Sequence, residues 1–163
     1  MRMLFSLVAA IVCTGAPAQS VSLDGLIKYS PPKGFMRDDS RVGQGRRAFF
    51  GPEGNNYSPS VVFKSFAPGK SSAAEIGKQA IASMKSQPDM KVLGSREFKL
   101  AGQPTFQINL EMHLDNGMQV SQHLLVSTRK GKGYILTMSA LKQTAKRYFP
   151  AFEKSLKSIV WIN

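Results

Sequence analysis

The chain has 163 residues, with 22 Lys or Arg against 10 Asp or Glu, a formal charge of +12 near neutral pH. One cysteine and two histidines leave almost nothing for disulfide frameworks, thiolate metal sites or histidine-rich metal centres. The length fits one domain, which buries close to ~70% of its unfolded surface and needs no covalent staples.

The chain opens with Arg2, an uncharged apolar run from Met3 to Val12, and the small residues Ala16 and Ala18 around Pro17. This three-part layout reads as a secretory signal peptide over residues 1–18, with cleavage expected after Ala18. The apolar run is short of the roughly 20 residues that span a bilayer. Cys13 is preceded by Val12 and has Ala10 at −3. Bacterial lipoprotein signals carry a small residue and commonly a leucine there, so loss with the signal is expected and lipidation is not.

The mature chain, residues 19–163, is then a single cysteine-free globular domain of the periplasm or the medium. Outside the cytoplasm, its charge points away from nucleic acid and towards lipid phosphates, acidic polysaccharides or acidic proteins. The competing reading is that the charge serves solubility alone.

"LIKY" (26–29) predicts a short strand stopped by Pro31 and Pro32. A strand entering the Gly/Pro/Asn loop of "RRAFFGPEGNN" (46–56) follows, then the β-branched and aromatic strand "SVVFKSF" (60–66). Ser71 or Ser72 caps a helix, with Glu75 placed for a capping box and Pro88 ending it. Its apolar stripe is Ala73, Ile76, Gly77, Ala80 and Met84.

Four strands are predicted next, at about 91–100, 104–114, 118–129 and 133–140. Phe106, Ile108, Leu110, Met112 and Leu114 alternate with Gln107, Asn109, Glu111 and His113, which gives the sheet one apolar and one polar face. A three-residue "DNG" loop (115–117) pairs Leu114 with Met118, Met112 with Val120, Ile108 with Leu124 and Phe106 with Val126. A like loop at "KGK" (130–132) pairs Val126 with Leu136 and Leu124 with Met138. A closing helix over about 143–158 carries the stripe Leu141, Ala145, Phe149, Phe152, Leu156 and Ile159, with Pro150 expected to break it.

With "YSPPKGF", "RAFFGP", "GYILTMSA" and "YFPAFEKSLKSI", this order of elements resembles the PsbP-like fold, including its bacterial DcrB-like branch. The resemblance spans nearly the whole mature chain and rests on packing motifs. It implies an α+β fold, an antiparallel sheet of about six to seven strands flanked by two helices in an α/β/α sandwich. It also implies a non-enzymatic accessory or binding role, often facing a membrane.

Catalytic signals are thin. His113 and His123 both fall on the polar face, with His123 opposite Asn109, which sets them roughly 13 Å apart at about 3.4 Å per residue. That spacing forbids a shared metal, so each reads as a satisfied polar-face histidine. Asp38-Asp39 reads as a solvated turn, since calcium takes about six to eight ligands. "GQGRR" (43–47) precedes no helix, and no G-x-S-x-G occurs. No cofactor and no metal are expected.

The leading reading is therefore an exported, non-enzymatic binding or accessory protein of the cell envelope. The alternatives are a small secreted hydrolase using a histidine base, and an inhibitor or immunity-type protein. From residue 117 onward there are eight basic residues and one acidic residue, Glu153. Strand 133–140 runs about 26 Å from its turn, and an antiparallel helix returns about 22 Å of that. This brings Lys154 and Lys157 towards Arg129, Lys130 and Lys132 as one basic patch for an acidic protein or an anionic surface.

Overall fold

The computed structural model describes residues 21–23 and 27–162. The expected signal segment, Cys13 and Leu26 lie outside them. The described chain is α+β. Three short strands come first, β1 (Val21–Leu23), β2 (Ile27–Tyr29) and β3 (Met36–Arg37), followed by β4 (Arg46–Phe50) and β5 (Ser60–Phe66). Helix α1 (Ala73–Lys85) leads into β6 (Met90–Leu100), β7 (Gln103–His113), β8 (Gln119–Arg129) and β9 (Lys132–Leu141). Helix α2 (Ala145–Leu156) and β10 (Val160–Trp161) close the fold.

Seven strands form one antiparallel sheet in the order β3-β4-β5-β9-β8-β7-β6. A small sheet, β1-β2-β10, joins the two ends of the described chain. The pairs β1, β3 and β10 contribute are too short to leave a period-two signal, and the sequence reading missed all three.

The "DNG" register is the expected one, with Phe106 opposite Val126, Ile108 opposite Leu124 and Met112 opposite Val120. The Leu114 amide donates to the Met118 carbonyl at 2.9 Å, and Gly117 takes a φ of 80°. The "KGK" register is corrected by one residue. Arg129 pairs with Lys132, Val126 with Ile135 and Leu124 with Thr137. Lys130 (φ 49°) and Gly131 (φ 72°) form a two-residue turn in which both central residues are left-handed, as a type I′ hairpin requires. Leu136 and Met138 thus share a face with Leu125, and Ile135 shares the other with Val126.

That one-residue difference supplies two apolar surfaces where one was expected. Ser72 caps α1, accepting from the Glu75 amide at 3.2 Å while the Glu75 carboxylate accepts from the Ser72 amide at 2.7 Å. The helix lays Ala73, Ile76, Ala80 and Met84 on Phe106, Ile108, Leu110 and Val126. On the opposite face, Phe152 and Ile159 pack with Tyr29, Phe49, Phe63, Leu136 and Met138. The Tyr29 hydroxyl reaches the Ser155 hydroxyl at 2.8 Å, and Ser155 in turn donates to the Phe152 carbonyl at 2.7 Å.

Pro150 does not break the closing helix. A 3₁₀ turn at Lys142–Thr144 comes first, and α2 then runs through Pro150 to Leu156. Proline leaves the Lys146 carbonyl without its usual donor, at a place on the helix where Lys146 and Pro150 are both exposed.

Gly77 tests the α1 contact. A Cβ built there falls on the Phe106 ring, which is 4% exposed and has no room to swing. Gly77→Ala gains ~1 kcal/mol of helix propensity and costs about 1–3 kcal/mol in overpacking. Repulsion from a fixed ring wins, so we expect a net loss of up to about 2 kcal/mol in unfolding free energy, read as a lower urea midpoint. Gly94→Ala, where a Cβ meets nothing within 4 Å, should change stability by no more than ~0.5 kcal/mol.

Candidate binding groove beside the second helix

Strand β7 has hydrogen-bonded neighbours on both sides, so its polar residues face protein as well as solvent. Gln107 is 4% exposed. A buried amide costs about 1–3 kcal/mol if left unpaired, and here its groups are satisfied by neighbours on the same face. Its Oε1 accepts from Arg96 Nε at 3.1 Å and Nη2 at 3.0 Å, and its Nε2 donates to Asn109 Oδ1 at 2.7 Å. Arg96 stands directly opposite Gln107 across the β6–β7 pair, and its guanidinium lies 5.3 Å from the centre of the Phe98 ring. The guanidinium is thereby fixed in orientation.

Helix α2 runs antiparallel to β9. Its first turns lie near Ser121 and His123, and its last residues lie near Leu100 and Ala101. Beyond its flank, β6 and β7 leave a groove of two chambers. One, of about 400 Å³, is walled by Arg96, Phe98, Lys99, Leu100, Leu156 and Lys157. The other, of about 430 Å³, is walled by Leu93, Asn109, Ala145, Phe149 and Pro150. His123 and Glu153 belong to both. Leu93 sits where the β6 register shifts between Val92 and Gly94, and the shift leaves it 53% exposed.

His123 lies opposite Asn109, as expected, but α2 covers it. Its ring stacks on Phe149 with centroids 4.0 Å apart and planes at 25°. Burial holds its pKa below the usual histidine value; Glu153 pulls it back up, and Arg96 pushes it further down. His113 is exposed, opposite Gln119. The two histidines do not meet. Among the described residues no group of three or more His, Cys, Asp or Glu could hold a metal.

The Asp38-Asp39 turn is more than a solvated loop. Asp38 caps a 3₁₀ turn through the Ser40 amide at 3.2 Å. Asp39 accepts from Arg37 at 2.6 and 2.9 Å and from the Ala48 amide at 3.0 Å, and the Arg37 bond leads in holding its carboxyl below the usual range. It fastens the loop to β4.

Of the five basic residues singled out from the sequence, Arg129 ends β8 with its guanidinium 5.8 Å from the centre of the Trp161 ring. Lys130 and Lys132 flank Gly131 in the adjoining turn and are exposed. Lys157 follows α2 and walls the groove, and exposed Lys154 lies one turn earlier. Trp161 ties these regions together: its ring packs 5.4 Å from Tyr134 of β9, and its Nε1 donates to the Leu100 carbonyl at 3.0 Å. Arg96, Lys99 and the stacked pair His123–Phe149 escaped the sequence reading. The available signal was a central strand with polar alternation in a fold whose two helices must cover two faces.

No protein-family model and no curated protein matches the sequence. Solved structures do match. PA94 of Pseudomonas aeruginosa, a protein of unknown function, aligns with a TM-score of 0.64 at 15% identity, over 77% of this chain and 96% of that one. Cyanobacterial PsbP (CyanoP) of Synechocystis sp. PCC 6803 aligns at 0.62 and 16%, over 98% and 99%. LpqN of Mycobacterium tuberculosis, which is involved in cell envelope biogenesis, aligns at 0.62 and 17%, over 92% and 88%. The chain has the PsbP-like fold.

The covered histidine yields a pH test. With its folded pKa depressed, His123 contributes stability that is fully present above the unfolded value near ~6.5 and is lost as pH falls through the folded value. The urea midpoint should therefore drop between about pH 7.5 and pH 5. His123→Gln should flatten that drop, and NMR titration should place the His123 ring below ~6.5.

Proposed function

We propose that this protein is an exported, non-enzymatic accessory or binding protein of the cell envelope. Its basic end contacts an acidic protein or an anionic envelope surface. Its narrower placement in the DcrB-like branch belongs to the same proposal.

The observation that carries the reading is the contact of Arg129 and Tyr134 with Trp161, whose indole bonds Leu100 in a wall that Lys157 shares. It supports a basic patch in which Lys130, Lys132 and Lys154, exposed on the adjoining turn and helix, join Arg129 and Lys157. From residue 117 onward Glu153 is the one acidic side chain against eight basic ones, which favours a positive field there. The envelope role of LpqN supports the location, and the layout of residues 1–18 supports export. Among the described residues no helix is long and apolar enough to cross a membrane. A hydrolase built on His123 has less support. A base needs a nucleophile within hydrogen-bond reach, and the His123 ring stacks on Phe149 instead.

Two measurements test this. Deleting residues 1–18 should strand the protein in the cytoplasm, and unchanged export would overturn the location. The second compares the parent with a variant carrying Gln at all five positions, on vesicles rich in phosphatidylglycerol and on vesicles of phosphatidylcholine. The parent should prefer the anionic vesicles, and its binding should weaken steeply with salt, because exposed charges are screened beyond ~8 Å at physiological ionic strength. The variant should lose that preference with its melting temperature nearly unchanged. Equal binding by both proteins, to vesicles and to envelope proteins in pull-down, would overturn the role of the basic end.

A further inference from the structure

We propose that the groove between α2 and β6–β7 is a binding site for an amphiphilic anion, a single alkyl or acyl chain bearing a carboxylate or phosphate head. The site shares Lys157 with the basic end but is otherwise distinct from it: it opens along the flank of α2, and its central cation is Arg96.

The head position follows from the charges. Arg96, Lys99 and Lys157 wall the first chamber with Glu153 as the opposing carboxylate. Among the described residues no carboxylate lies within ion-pair distance of any of the three cations. Both hydrogen bonds of Arg96 go to one oxygen, that of Gln107, through Nε and Nη2. A guanidinium has five N–H donors, so the remaining ones stay available to a carboxylate or phosphate, whose paired oxygens match the planar fork. Gln107 and Phe98 hold that fork in place before any ligand arrives, which lowers the ordering cost of binding.

The chain position follows from the walls. Phe98, Leu100, Leu156 and Met138 give the first chamber apolar surface beside its cations. The second chamber adds Leu93, Phe149 and Pro150. A volume of about 400 Å³ in the first chamber alone is within the ~300–1,000 Å³ range of small-molecule sites. His123 stands between the chambers with its ring stacked flat on Phe149. Burial keeps it neutral at neutral pH, so an alkyl chain passing from one chamber to the other meets no charge on that ring. A sugar or free inorganic anion would leave these apolar walls uncovered, whereas a neutral amphiphile would leave the cations unanswered.

Trp161 is the one tryptophan, and its indole is bonded to the backbone of Leu100 in the chamber wall, so its fluorescence reports on occupancy. The full mature chain would be titrated with dodecanoate, dodecyl phosphate, dodecyl maltoside, butyrate and inorganic phosphate, all below micellar concentration, and the same series repeated by calorimetry. Dodecanoate, dodecyl phosphate or both should bind one to one, at least ten-fold more tightly than dodecyl maltoside. Butyrate and inorganic phosphate should not bind measurably. The tighter of the two anionic dodecyl compounds distinguishes a fatty-acid source from a phospholipid source.

Arg96→Gln should weaken binding at least ten-fold. Because that change also disturbs the Gln107 bonds, a Lys99→Gln/Lys157→Gln variant, which touches no internal hydrogen bond of the groove, should weaken it several-fold with unchanged melting. The proposal is overturned if no dodecyl compound binds. It is equally overturned if the neutral compound binds as well as the anionic ones, or if both variants bind like the parent.

Discussion

Strand β7 sets the terms for the rest of the molecule, because it is paired on both edges and lies beneath α1, while only one of its faces is apolar. On the α1 side the usual solution holds, with Phe106, Ile108 and Leu110 removed from water beneath a capped amphipathic helix. On the other side Thr105, Gln107 and Asn109 stand where a helix would normally meet aliphatic side chains. Each must find its partners within the sheet. Thr105 bonds Ser127 at 2.7 Å, and Gln107 is held between Arg96 and Asn109. A satisfied polar surface of this kind gains little from being covered by an apolar helix.

The placement of α2 follows from that. Its aromatic stripe finds apolar partners over β9, β5 and β4, where Leu136, Met138, Phe63 and Phe49 supply them, and β2 adds Tyr29 from the small sheet. The helix therefore lies to one side. The groove is what remains over β6 and β7, and its mixture of apolar wall and fixed cation arises from the same asymmetry that positions the helix. Fold and site have one origin in the alternation of a single strand.

Much of this could be read in the residues. The period of two in 104–114 and the glycine of "DNG" fixed the β7–β8 register, since any one-residue slip would have turned apolar side chains onto the polar face. The "KGK" turn went the other way because Lys130 adopts a left-handed φ, a conformation that glycine, asparagine or aspartate would have announced and lysine does not. Pro150 was read by its intrinsic preference, but it stands on the exposed side of α2 while Phe149 and Phe152 pack against the core, and that tertiary packing prevails. The basic end was visible as a charge count. The groove was not, because it needs Arg96, His123, Glu153 and Lys157 from three separate elements, and no spacing in the chain relates them.

The small sheet has a consequence for the order in which the molecule can be assembled. Strand β2 receives β10 along its edge, with Ile27 opposite Trp161, and the Tyr29 hydroxyl reaches Ser155 across 126 residues of chain. Contacts so distant in sequence bear the full entropy of closing the loop between them before they return anything, which makes them late steps. The α1 layer with β6, β7 and β8 is local and can form early. In a chain delivered from its N-terminus, Tyr29 and Ile27 must wait, uncovered, until α2 and β10 have emerged. The second core is thus sealed only when α2 and β10 arrive, and the groove gains its wall of Leu156 and Lys157 at that same moment.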